Sequence, residues 1–226
     1  MSDTRPIRCL ITAGPTREWL DPVRFITNPS SGKMGYAIAE AARDLGWAVT
    51  LVSGPVALPA PEGVALVQVV TAEDMLTAVQ SHFEVCDVLI KTAAVCDMRP
   101  VKRADQKVKK DAIEWSVSFE PTPDILKTVA AGKRADQVVV GFAAETQEVE
   151  SYARRKLSEK NLDYICANSV AGPTGAFESD SNAVLVISRE GAEWKLGPAL
   201  KTEVARALVA QLAQDERLSR SHLRSV

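Results

Sequence analysis

Several segments combine small residues with polar and charged ones at spacings that suit phosphate and nucleotide chemistry. Asn28-Pro29-Ser30-Ser31-Gly32-Lys33-Met34-Gly35 runs into a helical pattern. Amides bared by glycine at a helix start form an anion site fit for phosphate. It is not a Walker A loop, because Thr27 stands at the first glycine position and Met34 follows the lysine where Ser or Thr would reach magnesium. As a dinucleotide fingerprint it is broken: Ser30, Gly32 and Gly35 occupy the three glycine positions, and Val52-Ser53-Gly54 supplies no acid for a ribose. Glycines that merely let helix and sheet pack closely would give the same string. The preceding stretch, Gly14 to Thr27, is long for a strand–helix turn, and loops of that length usually serve a function. Arg17 and Arg24 can reach anions there or pair with Glu18 or Asp21 at the surface.

A second candidate is Thr92-Ala93-Ala94-Val95-Cys96-Asp97, at the end of an apolar run and before a basic stretch. Small alanines let a base or ribose approach the backbone, and Asp97 can accept from a hydroxyl, hold a cation or cap a turn. Glu120-Pro121-Thr122-Pro123-Asp124 reads as another helix start, and Gly141-Phe142-Ala143-Ala144-Glu145 as another strand end, where Phe142 can stack on a base or fill the core. Lys156 and Lys160 are four apart on one helical face and either bracket a triphosphate or meet solvent. Arg99 to Asp111 carries Arg99, Lys102, Arg103, Lys107, Lys109 and Lys110 with few apolar residues and reads as a mobile basic loop.

These segments need a scaffold that brings strand ends together, and the rest of the chain describes one. Apolar, β-branched runs at Arg8–Ala13, Ala48–Ser53, Ala65–Val70, Val88–Ala94, Gln137–Ala143, Tyr164–Ala167 and Ala183–Ser188 alternate with amphipathic segments. Runs apolar throughout are strands buried on both faces, so the pattern predicts a doubly wound, mostly parallel, Rossmann-like α/β sheet with helices on both sides. Helices are predicted over Lys33–Leu45 (ending at Gly46), from the capping pair Thr71 and Asp74 to about Phe83, over Ile125–Ala131, Thr146–Leu162 and Lys201–Gln214. Ile113, Trp115, Val117 and Phe119 alternate with polar residues, which marks a strand with one wet or partner-facing side that can lie outside the main sheet. One domain is expected over residues 1–214, with 215–226 as a frayed polar tail.

Composition narrows the function classes. The 226 residues hold 27 Lys+Arg against 29 Asp+Glu, a formal charge of −2, with 46% hydrophobic and 25% charged residues. That is an ordinary globular composition without the basic excess of a nucleic-acid footprint, and no apolar run nears the roughly 20 residues that span a bilayer. The polar start lacks the sections of a signal peptide, so a cytoplasmic protein is expected. Cys9, Cys86, Cys96 and Cys166 have no zinc spacing and read as reduced thiols in or near the core. His82 and His222 are too few for a histidine-rich metal site or a Ser-His-Asp triad.

Taken together, Ile11-Thr12-Ala13-Gly14-Pro15-Thr16-Arg17-Glu18, Asp21-Pro22-Val23-Arg24, Asn28 with Ser30 to Gly35, Ala93-Ala94-Val95 with Asp97, and Gly141 to Thr146 resemble the phosphopantothenate-cysteine ligase family. The resemblance implies a ligase of coenzyme A synthesis. It would join 4′-phosphopantothenate to L-cysteine with CTP and Mg²⁺, through an acyl-cytidylate, and release pyrophosphate and CMP. By position, Asn28 and Lys107 would be catalytic, Asn28 at the acyl-nucleotide intermediate and Lys107 neutralising charge as it forms. Lys91, Thr92, Ala93, Asp97, Lys107, Pro123, Asp124, Ile125, Leu126, Phe142, Lys156 and Lys160 would bind the nucleotide, and Ser30, Ser31, Gly32 and Gly35 the substrate phosphate. The resemblance does not identify metal ligands. It further implies a homodimer reached through the Ile113–Phe119 segment, and a flavin-dependent phosphopantothenoylcysteine decarboxylase as a separate partner. Pro29, Lys91, Cys96 and Met98 depart from the residues usual in the family. Two rivals start from the same sheet: a nicotinamide-dependent oxidoreductase, disfavoured by the broken glycine pattern, and a noncatalytic nucleotide-binding module.

Overall fold

Neighbouring residues of the predicted strands face opposite ways, and both faces are buried. Leu10, Val52 and Leu89 pack on one side, while Ile11, Leu51 and Ile90 pack on the other. A sheet coated on both sides in this way needs uninterrupted apolar strands, which is the pattern the sequence shows. The computed structural model describes residues 5–110, 116–145, 147–169 and 179–221.

In chain order the elements are β1 (Arg8–Ala13), β2 (Arg17–Trp19), β3 (Phe25–Thr27), α1 (Lys33–Asp44), β4 (Ala48–Ser53), β5 (Ala65–Gln68), α2 (Ala72–Phe83), β6 (Val88–Lys91), β7 (Met98–Pro100), β8 (Phe119–Pro121), α3 (Ile125–Ala130), β9 (Val138–Glu145), α4 (Val149–Glu159), β10 (Tyr164–Ser169), β11 (Ser181–Ser188), β12 (Glu193–Leu200), α5 (Lys201–Leu212) and α6 (Glu216–Ser221). Eight strands form the main sheet in the order β12-β11-β10-β9-β6-β1-β4-β5. All neighbours from β10 to β5 run parallel, whereas β11 and β12 add an antiparallel end. From β1 the chain builds outward through β4 and β5, then crosses to β6, β9 and β10 on the other side. The switch point therefore lies between β1 and β6, where an open α/β sheet offers a crevice at its carboxyl ends.

Helices α1 and α5 cover one face through Ile38, Ala42, Val204 and Leu208, and α2, α3 and α4 cover the other through Met75, Val79, Ile125 and Leu157. Ile38 and Leu208 are fully buried, and truncating either to alanine would cost about 2–5 kcal/mol. The capping pair at α2 is present: Thr71 Oγ1 accepts from Asp74 N at 3.1 Å and Asp74 Oδ2 from Thr71 N at 2.9 Å. Among the described residues, no helix is long and apolar enough to cross a membrane.

Three expectations change. Residues 215–221 are not a frayed tail but lead into α6, because Leu218 is fully buried and Arg217 pairs with Asp215 and Asp163; residues 222–226 lie outside the described residues. Of the alternating strand expected over Ile113–Phe119, residues 111–115 lie outside the described residues and 116–118 form no strand. Pairing starts at Phe119, where β8 runs antiparallel to β7 apart from the main sheet. Finally, the long stretch after β1 is a hairpin, β2–β3, with Arg17 opposite Thr27 and Trp19 opposite Phe25.

Candidate active site

The sheet's carboxyl edge opens into a cleft of about 290 Å³ at the switch point. Its walls come from the ends of β6, β9 and β10, the start of β11, the segment leading into α1, and the first residue of α5.

Beyond the ends of β1 and β6 the two chains continue to pair. Thr92 N and Oγ1 both donate to Thr12 O, at 3.1 and 2.6 Å, Ala93 N donates to Thr12 Oγ1 at 3.2 Å, and Ala94 N to Gly14 O at 2.9 Å. Cys96 N then donates to Thr16 Oγ1 at 2.9 Å. Asn28, two elements later, is drawn onto this seam: its Nδ2 donates to Ala94 O at 3.2 Å and to Val95 O at 3.0 Å. The amide's orientation is thereby fixed by backbone on the opposite wall.

The helix start beside it divides into two functions. Gly32 caps α1 with φ +76° and has no side chain to cap the helix, so the first-turn amides start at the cleft wall beside Ser30 and Ser31. Gly35, by contrast, is a packing glycine. A Cβ there would lie 2.5 Å from Thr92 Oγ1 and 2.6 Å from Ala13 Cβ, so it lets α1 approach the sheet, although its backbone also lines the cleft.

Lys91, Val95 and Asp97 line both this cleft and an adjoining pocket of about 240 Å³ whose other wall is Thr122–Leu126 with Lys160. Thr122 Oγ1 donates to Cys96 O at 2.5 Å and Thr122 N to Asp97 O at 3.1 Å. Asp124 caps α3 by accepting Lys127 N at 3.1 Å and also pairs with Lys160 Nζ at 2.9 Å. Burial works against its charge, but these two partners hold the carboxyl below its ordinary range. Lys91 donates to Ala93 O at 2.9 Å. Its ammonium is pushed down to about 8 by burial first and then by the charge of Lys160.

The structure brings together Asn28, Ser30, Ser31, Gly32, Gly35, Lys91, Thr92, Ala93, Asp97 and Phe142 in the main cleft, and Pro123, Asp124, Ile125, Leu126 and Lys160 in the adjoining pocket. Phe142 is half-buried and packs against the core as well. Lys156 lines neither space but lies near enough to weigh on Lys91. Lys107 is exposed and outside both; its loop is docked on the hairpin. Arg17 stacks over Phe25 at 4.5 Å and Arg24 Nε pairs with Asp21 at 3.3 Å, so neither arginine faces the cleft.

Three polar wall residues escaped the sequence reading: Asn168, Asn182 and Lys201. Asn168 is one residue beyond the predicted end of its strand, and the strand-end rule would have found it. Asn182 stands one residue before the predicted strand Ala183–Ser188, and Lys201 follows β12, a strand absent from the sequence reading that pairs with β11 across the turn at Gly191. Lys201 carried one faint sign, a cation at a helix start, where the dipole disfavours it. It is 5% exposed, and burial and then Lys33 lower its pKa. Among the described residues, no three His, Cys, Asp or Glu side chains cluster as a metal set. Magnesium that travels with a triphosphate is held mainly by phosphate oxygens and one or two carboxylates, and among the described residues Asp97 is the carboxylate that lines this cleft.

A family model described as "DNA/pantothenate metabolism flavoprotein C-terminal domain" matches residues 5–215. The chain is 47% identical over 223 residues to the coenzyme A biosynthesis bifunctional protein CoaBC of Escherichia coli K12, covering 97% of this chain and 53% of that protein. It is 47% identical over 205 residues to the Bacillus subtilis CoaBC, covering 90% and 50%. The chain thus spans about half the length of these curated relatives. A crystal structure of the C-terminal domain of a CoaBC superposes with a TM-score of 0.78 at 47% identity, covering 94% of this chain and 96% of the other.

Proposed function

The chain belongs to the DNA/pantothenate metabolism flavoprotein C-terminal domain family, and from that premise we propose that it ligates 4′-phosphopantothenate to L-cysteine, consuming CTP with Mg²⁺. The observation that carries the reading is the shared cleft. An uncapped helix start at Ser30–Gly32 suits one anion, and a lysine-rich nucleotide side opens next to it, with Asn28 lining the same space.

A carboxylate is a poor electrophile. In the first step a carboxylate oxygen of phosphopantothenate attacks the α-phosphorus of CTP, and the bond to the β-phosphate breaks with its electron pair leaving on pyrophosphate. Two anions must approach one another, so cations and oriented amides at the site lower the barrier. Lys91 and Lys160 line the adjoining pocket, while Lys107 would neutralise charge from its loop. Mg²⁺, when bound, would supply further charge neutralisation on the triphosphate, and Asp97 would be the residue to hold it. In the second step the cysteine amine attacks the acyl carbonyl, CMP leaves and the amine loses a proton. Asn28 has both N–H donors directed at Ala94 O and Val95 O. Its Oδ1 is therefore the acceptor it can offer, which suits the incoming amine more than the acyl phosphate.

The reading carries with it a cytoplasmic homodimer and a flavin-dependent decarboxylase that takes the product. Exposed Met98, Val117 and Phe119 around β7 and β8 are the surface offered to a second copy. Its test is an assay of pyrophosphate and phosphopantothenoylcysteine with CTP, 4′-phosphopantothenate and cysteine. Both products are expected, and ATP should support at least about tenfold slower turnover, since an unmet hydrogen-bond partner at the base costs about 1–3 kcal/mol. Comparable turnover with ATP overturns the CTP preference, and absence of both products overturns the ligase.

A further inference from the structure

Asp21 sits at the turn of the β2–β3 hairpin, 1% exposed. Its Oδ1 accepts from Val23 N and Arg24 N, both at 2.8 Å, which makes the turn. Its second oxygen faces both the Arg24 guanidinium of the hairpin and the basic loop. Oδ2 accepts from the backbone N–H of Val108, 87 residues along the chain, at 3.3 Å, while the Arg24 guanidinium donates to the carbonyl of the same residue. One acid and one base, themselves paired at 3.3 Å, thus grip both polar atoms of a single residue in the basic loop. Two further contacts seat that loop on the hairpin: Ala104 N donates to Leu20 O at 2.9 Å, and the Arg103 guanidinium lies 5.8 Å from the Trp19 ring centroid. The gripped residue immediately follows Lys107, whose side chain is exposed. The same hairpin leads through Thr27 directly into Asn28.

We propose that Asp21 is a positioning residue: by holding the Val108 amide it sets the loop conformation from which Lys107 works, so that Lys107 and Asn28 share one mount. The proposal rests on the ligase reading for the role of Lys107, whereas the grip itself stands on the hydrogen bonds alone. A backbone anchor suits this task. It orders the loop without engaging the lysine's own charge, which stays available for a triphosphate.

Two readouts test it in the full chain. Limited trypsin digestion, followed by mass spectrometry, reads cleavage after Lys107, Lys109 and Lys110 without reference to activity. Asp21→Asn, which weakens the acceptor at nearly constant shape, should speed that cleavage about tenfold, the scale of one lost charge-assisted hydrogen bond. Val108→Pro deletes the N–H donor while leaving the hairpin untouched; it makes the bond after Lys107 resistant to trypsin but should speed cleavage after Lys109 and Lys110 likewise, so a failure of Asp21→Asn to fold does not end the test. Unchanged cleavage in the folded variants overturns the grip. The second readout is pyrophosphate release with CTP and 4′-phosphopantothenate. Asp21→Asn should slow it about tenfold or more in the parental background and not at all further in a Lys107→Ala background. Equal slowing in both backgrounds, or none in the first, overturns the positioning role. If Lys107→Ala alone releases pyrophosphate at the parental rate while trypsin still reports the grip, it is the assignment of Lys107 in the ligase reading that has failed.

Discussion

The two edges of the main sheet handle charge in opposite ways. At the amino edge, an aspartate stands one residue before β6 and another one residue before β10, and each is saturated. Asp87 accepts from Arg5 Nη1 and Nη2 at 2.7 and 2.8 Å and from Arg8 N at 2.7 Å. Asp163 accepts from Lys133 Nζ at 2.8 Å, Val139 N at 2.8 Å and Arg217 Nη1 at 2.7 Å. Each carboxylate ties the strand it precedes to the neighbouring strand and recruits a cation from elsewhere in the chain. At the carboxyl edge the balance is less even: among the described residues that line the cleft are Lys33, Lys91 and Lys201 with one acid, Asp97, and Lys33 finds its carboxylate outside that lining, in Asp180 at 2.5 Å. An excess of partly desolvated cations destabilises a fold unless an anion joins them. The contrast teaches that satisfied charge marks the edge that stabilises, and unbalanced charge the edge that binds.

Substitutions at the amino edge should therefore move stability and leave chemistry alone, whereas those at the carboxyl edge should move chemistry. The largest effect is expected for Asp163→Ala, which removes the buried carboxylate that Lys133, the Val139 amide and Arg217 share. Breaking a buried pair costs about 3–5 kcal/mol, read as a lower urea midpoint, while pyrophosphate release per folded molecule stays parental. Loss of activity in the folded fraction would break the comparison. Lys107→Ala should do the opposite, losing on the order of 3 kcal/mol in the rate of acyl-cytidylate formation with an unchanged melting temperature. Normal pyrophosphate release would remove the lysine from the mechanism.

Asn28→Asp sharpens the comparison because it touches both quantities. By shape the exchange is nearly isosteric, yet the structure places the new oxygen against two backbone carbonyls, Ala94 O and Val95 O. A stability loss of about 1–3 kcal/mol is expected, together with accumulation of a nucleotide-linked acyl species detected by mass spectrometry after quenching. Product formation at the parental rate would show that Asn28 shapes the loop and nothing more.

The smallest effects concern pH, and they differ in sign between the edges. At Asp87 burial opposes the charge, but Arg5 and the Arg8 amide outweigh it and hold the carboxyl below its ordinary 3.8. Its contribution is therefore complete above about pH 4 and lost as the pH falls through the folded value, so Asp87→Asn should flatten the acid limb of the stability curve. Lys91, at about 8 against an ordinary 10.5, binds its proton less tightly in the fold than in the unfolded chain. Its burden is full below pH 8 and relieved between about 8 and 10.5. Lys91→Met should raise stability at pH 7 by on the order of 1 kcal/mol, with the gain shrinking at pH 9.5. A gain that does not change with pH would mean that packing, and not charge, separates the two side chains.

Much of this was legible from residue order because the signals are local. Apolar runs from Arg8 and Val88, the capping pair at Thr71, and Asp124 ahead of Ile125 each depend on neighbours within a few residues, and short-range sterics and hydrogen bonds determine them almost alone. The strand-end rule points Asp97 and Phe142 to one edge of the sheet, and the helix start that follows Asn28 points to the same edge. What the tertiary structure alone decided is of longer range. Glycine spacing cannot separate Gly32, whose helix start meets the cleft, from Gly35, which is small because Thr92 and Ala13 press on it. Nor can charge counting tell that Asp21 holds Val108 while Asp163 holds Arg217. Asn182 and Lys201 reach the cleft only because β11 and β12 add to the sheet antiparallel beyond β10. The physical reason is common to all of these. A partner many tens of residues away is selected by the free energy of the whole packed arrangement, in which each contact depends on the others, and that cooperative choice leaves no mark at either residue taken singly.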